Sequence, residues 1–198
     1  MKYRIALLAF ALATACGGHA EPPSPDQPQP QPPDLSGADV MVFPAQPAPG
    51  LPPTTEPVPG LDREIQFWLT ERVPRVHWIF PPEMERALAR TPSMEIRIHA
   101  LAVSSFHRGE VKVIGDPLFG DLRSLGALVN GRFAFVPFAA GWVADDVGTG
   151  RVEIRTALID TRGGRVLWSG VVAGEAGAEG SREVAASAAE ALAGLIGR

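Results

Sequence analysis

A single cysteine, Cys16, serves all 198 residues, so no disulfide can form within the chain. Long apolar runs are missing as well. Residues 5–15 (IALLAFALATA) are apolar, but at about 1.5 Å per helical residue they fall short of a hydrocarbon core of about 30 Å, which argues against a permanent transmembrane helix. There is no block of basic residues: 18 Lys+Arg stand against 22 Asp+Glu, a formal net charge of −4. Mild acidity of this kind argues against nucleic acid as a partner and against a polybasic grip on anionic lipid. Metal and catalytic constellations are equally scarce. The four histidines are His19, His77, His99 and His107, and no pair has zinc-ligand spacing. On a regular strand His99 and His107 would face the same side but stand about 26 Å apart. Ser104-Ser105 lacks the Gly-x-Ser-x-Gly setting of a nucleophile elbow. Asp145-Asp146 with Gly148 and Gly150 has a calcium loop's composition but reads better as a hairpin turn. Gly115-Asp116-Pro117 reads as an aspartate cap followed by proline. No catalytic, cofactor or metal site is expected, and the chain does not read as an enzyme. The alternative reading is a small-ligand or enzymatic pocket near His99, His107 and Asp116.

What is present begins at the amino terminus. Lys2 and Arg4 precede the apolar stretch, and small residues lead to Cys16-Gly17-Gly18, the layout of an export signal. Leu12-Ala13-Thr14-Ala15-Cys16 resembles the bacterial lipobox, with Ala13 where leucine is usual. The resemblance implies cleavage before Cys16 and a lipid on its thiol. A thioether also accounts for the lone cysteine, since a free thiol is a liability in an oxidising compartment. Three acyl chains, at about 0.8 kcal/mol per buried methylene, make an effectively permanent anchor. Losing residues 1–15 removes Lys2 and Arg4 and takes the net charge from −4 to −6. Gly17 rather than aspartate follows the cysteine, which by resemblance to enteric bacteria points to the outer membrane over the inner one.

Residues 16–37 read as the lipidated cysteine and a linker. Positions 17–36 hold seven prolines among polar residues, leaving little to bury, so an extended, solvated spacer of roughly 60 Å is expected. The domain is placed at 38–198. Residues 38–44 read as a buried strand stopped by Pro44, and 44–59 as a loop. Residues 61–72 place Leu61, Ile65, Trp68 and Leu69 on one helical face, with Asp62 and Glu64 at the positive end of the dipole. Pro74 stops that helix, and Pro81-Pro82 opens another carrying Met84, Ala87 and Leu88. Residues 96–106 (IRIHALAVSSF) read as a central strand. A helix over 117–130 carries Leu118, Leu122, Leu125 and Val129, with Asn130-Gly131 as its cap. Strands follow at 132–139, where Pro137 demands an edge or a bulge, and at 151–160. A tight turn over 161–164 leads to 165–173, which should show Val166 and Trp168 on one face and Leu167 on the other. An alanine-rich helix over 181–197 closes the chain. The whole reads as α/β (α+β): a mixed sheet of about five strands with helices packed on it, a terminal β-meander and a C-terminal helix.

The opening strand Val40-Met41-Val42-Phe43-Pro44, the run from Leu128 to Val136, and Ala157 through Asp160-Thr161-Arg162-Gly163-Gly164 to Trp168-Ser169 resemble one group of envelope domains. These are the TolB amino-terminal domain, the curli secretion lipoprotein CsgG and the LpoB-type activators of penicillin-binding proteins. The resemblance implies an α/β binding platform rather than a reaction. No functional residue carries over, and the membrane-spanning hairpins of the curli pore have no counterpart in this sequence. The expectation is therefore a lipid-anchored, periplasm-facing lipoprotein. It would bind an envelope protein as a non-enzymatic accessory subunit, in cell-wall synthase regulation or a transport-related assembly. Trp68, Trp78, Trp142 and Trp168 read as core, with Trp142 and Trp168 kept as candidate partner contacts.

Overall fold

The computed structural model describes residues 30–47, 52, 56–145 and 148–197; the signal segment and Cys16 lie outside them. β1 (Asp39–Val42) sends Val40 and Val42 into one core and Met41, with the following Phe43, into another. A strand buried on both faces belongs inside a sheet covered on both sides. The sheet runs β2-β1-β3-β4-β5, with β2 at His77–Ile79, β3 at Phe133–Ala144, β4 at Gly150–Asp160 and β5 at Val166–Ala173. β2 and β3 flank β1 in parallel, and β3, β4 and β5 form an antiparallel meander. The mixed five-stranded sheet, its terminal meander and the C-terminal helix are thus as the sequence implied.

α1 (Leu61–Arg72) and α4 (Arg182–Ile196) pack on one face, while α2 (Pro81–Ala89) and α3 (Leu118–Val129) pack on the other. Small buried residues on α4 (Ala185, Ala188, Ala189 and Ala193) let it approach closely. A Cβ added at Gly174, just after β5, would meet the Ala188 backbone nitrogen at 2.6 Å. Polar clips join α1 to α4: Arg182 Nε donates to Glu64 Oε1 at 2.8 Å, and Arg72 pairs with Glu190.

Asp62, in the first turn of α1, accepts the Ala45 N–H at 2.8 Å. Burial pushes its carboxyl above the ordinary 3.8, the Ala45 hydrogen bond pulling the other way. A raised folded-state pKa means stability that is present below the unfolded value and lost as pH rises through the folded one. Asp62→Asn keeps an acceptor and removes that loss. Urea unfolding should therefore show the variant gaining on the parent at about pH 7 and matching it at about pH 3; a gain confined to the acid side would overturn the assignment.

Three expectations need correction. Residues 96–106 are not a strand. Ile98, Leu101, Val103 and Phe106 are buried against α2 and α3, but the backbone turns repeatedly, with Ala100 N–H bonding Arg97 O and Phe106 N–H bonding Val103 O. Gln46, only 1% exposed, supplies what a sheet would have supplied. Its Nε2 donates to Pro44 O at 2.7 Å and Ile98 O at 3.0 Å, and its Oε1 accepts the Leu101 N–H at 2.7 Å. The fifth strand is instead β2, three residues long.

The second correction concerns β5. Leu158 pairs with Trp168 and Ile159 with Val166, so a bulge falls at Leu167. One extra residue reverses the alternation. Val166 packs on the α2/α3 side, while Leu167 and Trp168 pack on the α1/α4 side. The bulge expected from Pro137 is present between Pro137 and Ala139, inside the sheet rather than at its edge. Thirdly, the end of the proline-rich stretch stays solvated at Pro30, Gln31, Pro33, Asp34 and Ser36 but is not free of the domain. Leu35 is 4% exposed within the core, and Pro30 O accepts the Trp168 indole N–H at 2.7 Å.

Candidate functional site

The turn after β4 organises one end of the sheet. Gly164, at φ +67°, closes it, with its N–H on Asp160 O at 2.8 Å. Asp160 does more than end the strand. Its two carboxylate oxygens accept Arg132 Nη1 at 2.9 Å and Nη2 at 3.1 Å, and Oδ1 also accepts the Arg162 N–H. A bidentate pair fixes the guanidinium plane as well as its position. Thr161 Oγ1 lies 3.0 Å from Gly131 O and 2.9 Å from Arg132 O, which latches the turn to the entry of β3. At α3's end it is Asn130 that takes left-handed geometry, at φ 58°. Gly131 is needed for a different reason: a Cβ there would lie 2.4 Å from Met41 Cγ.

These contacts leave a polar cleft of about 760 Å³ between the start of β1, the second half of α3 and the β4–β5 turn. Small residues (Gly37, Ala38, Ala127) form part of its wall, and Arg123, Arg132 and Arg162 stand around it. Arg132 is neutralised by Asp160. Asp39, the cleft's own carboxylate, is held by His77 Nδ1 at 2.6 Å. Arg123 lies over the Phe119 ring, 6.0 Å from its centroid. Among the described residues neither Arg123 nor Arg162 has a carboxylate partner. The cleft therefore carries excess positive charge on an acidic protein.

The residues of the alternative pocket reading go separate ways. His99 Nε2 meets Glu85 Oε1 at 2.9 Å beside an apolar groove of about 610 Å³ under α2, which neither His107 nor Asp116 lines. The His107 ring lies edge-on to Phe138, and burial, followed by the charge of Arg155, holds its pKa below 6.5. Asp116 Oδ1 accepts the Gly120 N–H at 3.0 Å, inside the first turn of α3. Among the described residues no group of three His, Cys, Asp or Glu is placed to hold a metal ion, and no helix is long and apolar enough to cross a membrane.

No family model matches the chain, and no curated protein matches it. Solved structures do. The PelC dodecamer from Paraburkholderia phytofirmans aligns at 15% identity over 86% of this chain and 94% of that one, with a TM-score of 0.42. The LpoB C-terminal domain from Salmonella enterica aligns at 9% identity, covering 70% of this chain and 83% of its own, with a TM-score of 0.43. A lipoprotein from Neisseria meningitidis aligns at 17% identity with the same coverage and a TM-score of 0.41. Likenesses this loose transfer no activity.

Of the aromatic candidates, Trp168 is 4% exposed in the α1/α4 core. Trp142 is half-buried opposite Val152, with its ring over Gly150, where a Cβ would come within 2.7 Å of it. Trp68 is half-buried between the edge of Phe67 and the Arg72 guanidinium. Cys16 lies outside the described residues. Arg132, Thr161 and Arg162 fall within the runs that carry the resemblance, but nothing in those runs marks them as a site, and Arg123 lies outside them on α3.

Proposed function

We propose that the chain is a lipid-anchored lipoprotein of the cell envelope, periplasm-facing and in the outer membrane rather than the inner. Its α/β domain acts there as a non-enzymatic, protein-binding accessory subunit of an envelope assembly. The observation that carries this reading is the amino-terminal pattern: a basic start, eleven apolar residues, then Leu12-Ala13-Thr14-Ala15-Cys16, leading through a proline-rich stretch to one domain. On this reading residues 1–15 are the signal, 16–37 the lipidated cysteine and tether, and 38–198 the binding domain. The dispersal of His99, His107 and Asp116 supports binding over catalysis.

Cys16→Ser tests the anchor. The variant should accumulate as unprocessed precursor and take up no labelled palmitate, whereas the parent is labelled and sediments with membranes. A variant that matures to the parent's mass and stays in the membrane fraction overturns the reading. The accessory role is tested by crosslinking in intact cells, followed by capture of the tagged chain. One envelope protein recovered repeatedly is expected, and repeated recovery of none counts against it.

A further inference from the structure

We propose that the arginine-rimmed cleft between α3 and the β4–β5 turn receives the acidic side chains of a partner protein's segment. This rests on the accessory reading and names the chemistry of the partner. The cleft has the room, about 760 Å³, and opens where three arginines converge from three separate elements: Arg123 from α3, Arg132 from the entry to β3 and Arg162 from the turn. Planar guanidinium groups recognise carboxylates through paired N–H donors, which makes arginine the apt residue for an acidic peptide.

The three play different parts. Arg132 has both terminal nitrogens on Asp160, so it fixes the cleft's floor rather than offering a free charge. Arg123 and Arg162 are the available cations. Asp39, the one acidic side chain among the described residues of the rim, is turned to His77. The excess positive charge is local, because the chain as a whole is at −4. An acidic segment would be repelled by the net charge of the protein as a whole and attracted by the arginines of this cleft. Charge patterning of this kind fixes where and in what register two proteins meet. A peptide is favoured over a lipid surface because the positive charge lines a recess instead of spreading over a face, and no polybasic stretch accompanies it.

The test uses the full-length chain in mild detergent, titrated by calorimetry with an oligoglutamate peptide. Inorganic phosphate and vesicles containing phosphatidylglycerol serve as comparison probes. Saturable peptide binding is expected, weakened by added salt and reduced at least about tenfold by Arg123→Ala combined with Arg162→Ala, a loss of about 1.4 kcal/mol. The double variant's melting temperature should stay at the parent's, since both side chains lie outside the core. Arg→Lys at both positions keeps the charges and loses the forks, so binding should fall between the two. The proposal is overturned if the peptide does not saturate, if the double variant binds it as well as the parent, or if phosphate or vesicles bind as tightly as the peptide. A failed titration alongside a partner still captured from cells would remove the cleft and leave the accessory role standing. Palmitate labelling and capture both failing would remove the accessory role, whatever the peptide does.

Discussion

Trp168→Ala should lower the stability of the protein by about 3–5 kcal/mol, the usual loss for emptying a buried tryptophan site. Trp168 is 4% exposed, faces the α1/α4 core and stands opposite Leu158 on β4. Against a total of about 5–15 kcal/mol for an ordinary domain, that loss threatens folding itself. Two separate effects are involved, and a second variant divides them. Trp168→Phe keeps most of the apolar surface but deletes the N–H that Pro30 O accepts, so it should lose only about 0.5–1.5 kcal/mol from the missing hydrogen bond, plus the smaller ring's lost contacts. Urea unfolding of the full-length chain in detergent measures both. Limited proteolysis should also cut within residues 30–36 faster in either variant than in the parent. An alanine variant with an unshifted midpoint would mean that Trp168 does not hold the sheet to its helices.

The second large effect is expected at Gln46. Gln46→Leu removes two donated hydrogen bonds and one accepted one, leaving Pro44 O, Ile98 O and the Leu101 N–H to find other partners. At about 1–3 kcal/mol for each buried group left unpaired, the loss is several kcal/mol, although leucine is more apolar than glutamine. Gln46→Glu should be no better: its carboxylate can accept from Leu101 but sets a negative charge against two carbonyl oxygens. Hydrogen exchange gives the signature that separates this from a general loss of stability. Protection should fall first at Leu101 and its neighbours, with the β3–β4 amides following only at global unfolding. Uniform loss of protection would instead mean that Gln46 acts on the whole fold.

The helices were readable because proline, glycine and apolar spacing agree at each. α1 and α3 begin and end within a residue of where their sequences place them. Residues 96–106 show why composition alone fails. Ile98, Leu101, Val103 and Phe106 follow spacings of three, two and three, which fit neither helix nor strand. Their apolar character secures burial but not conformation, and the deciding partner, Gln46, is about fifty residues away in sequence. β2 failed for the opposite reason: three residues are too few to show a period, and its place depends on parallel pairing with a distant β1. The bulge at Leu167 has no proline or glycine to announce it. The cleft is less legible still, since Arg123, Arg132 and Arg162 gather only once α3, β3 and the β4 turn have closed on one another.

The hydrogen bond between Trp168 and Pro30 also sets a radius of action. With a lipid on Cys16 as proposed, the chain leaves the membrane at residue 16 and is fastened to the domain again at residue 30. At about 3.3–3.6 Å per residue this fixes the greatest reach at about 50 Å, whatever path the chain takes. If the lead-in came away as far as Ala38, the limit would grow to about 75 Å, and the volume open to the domain roughly threefold. Local concentration falls as that volume grows, so the indole N–H would govern how often a membrane-bound partner is met without touching the partner at all.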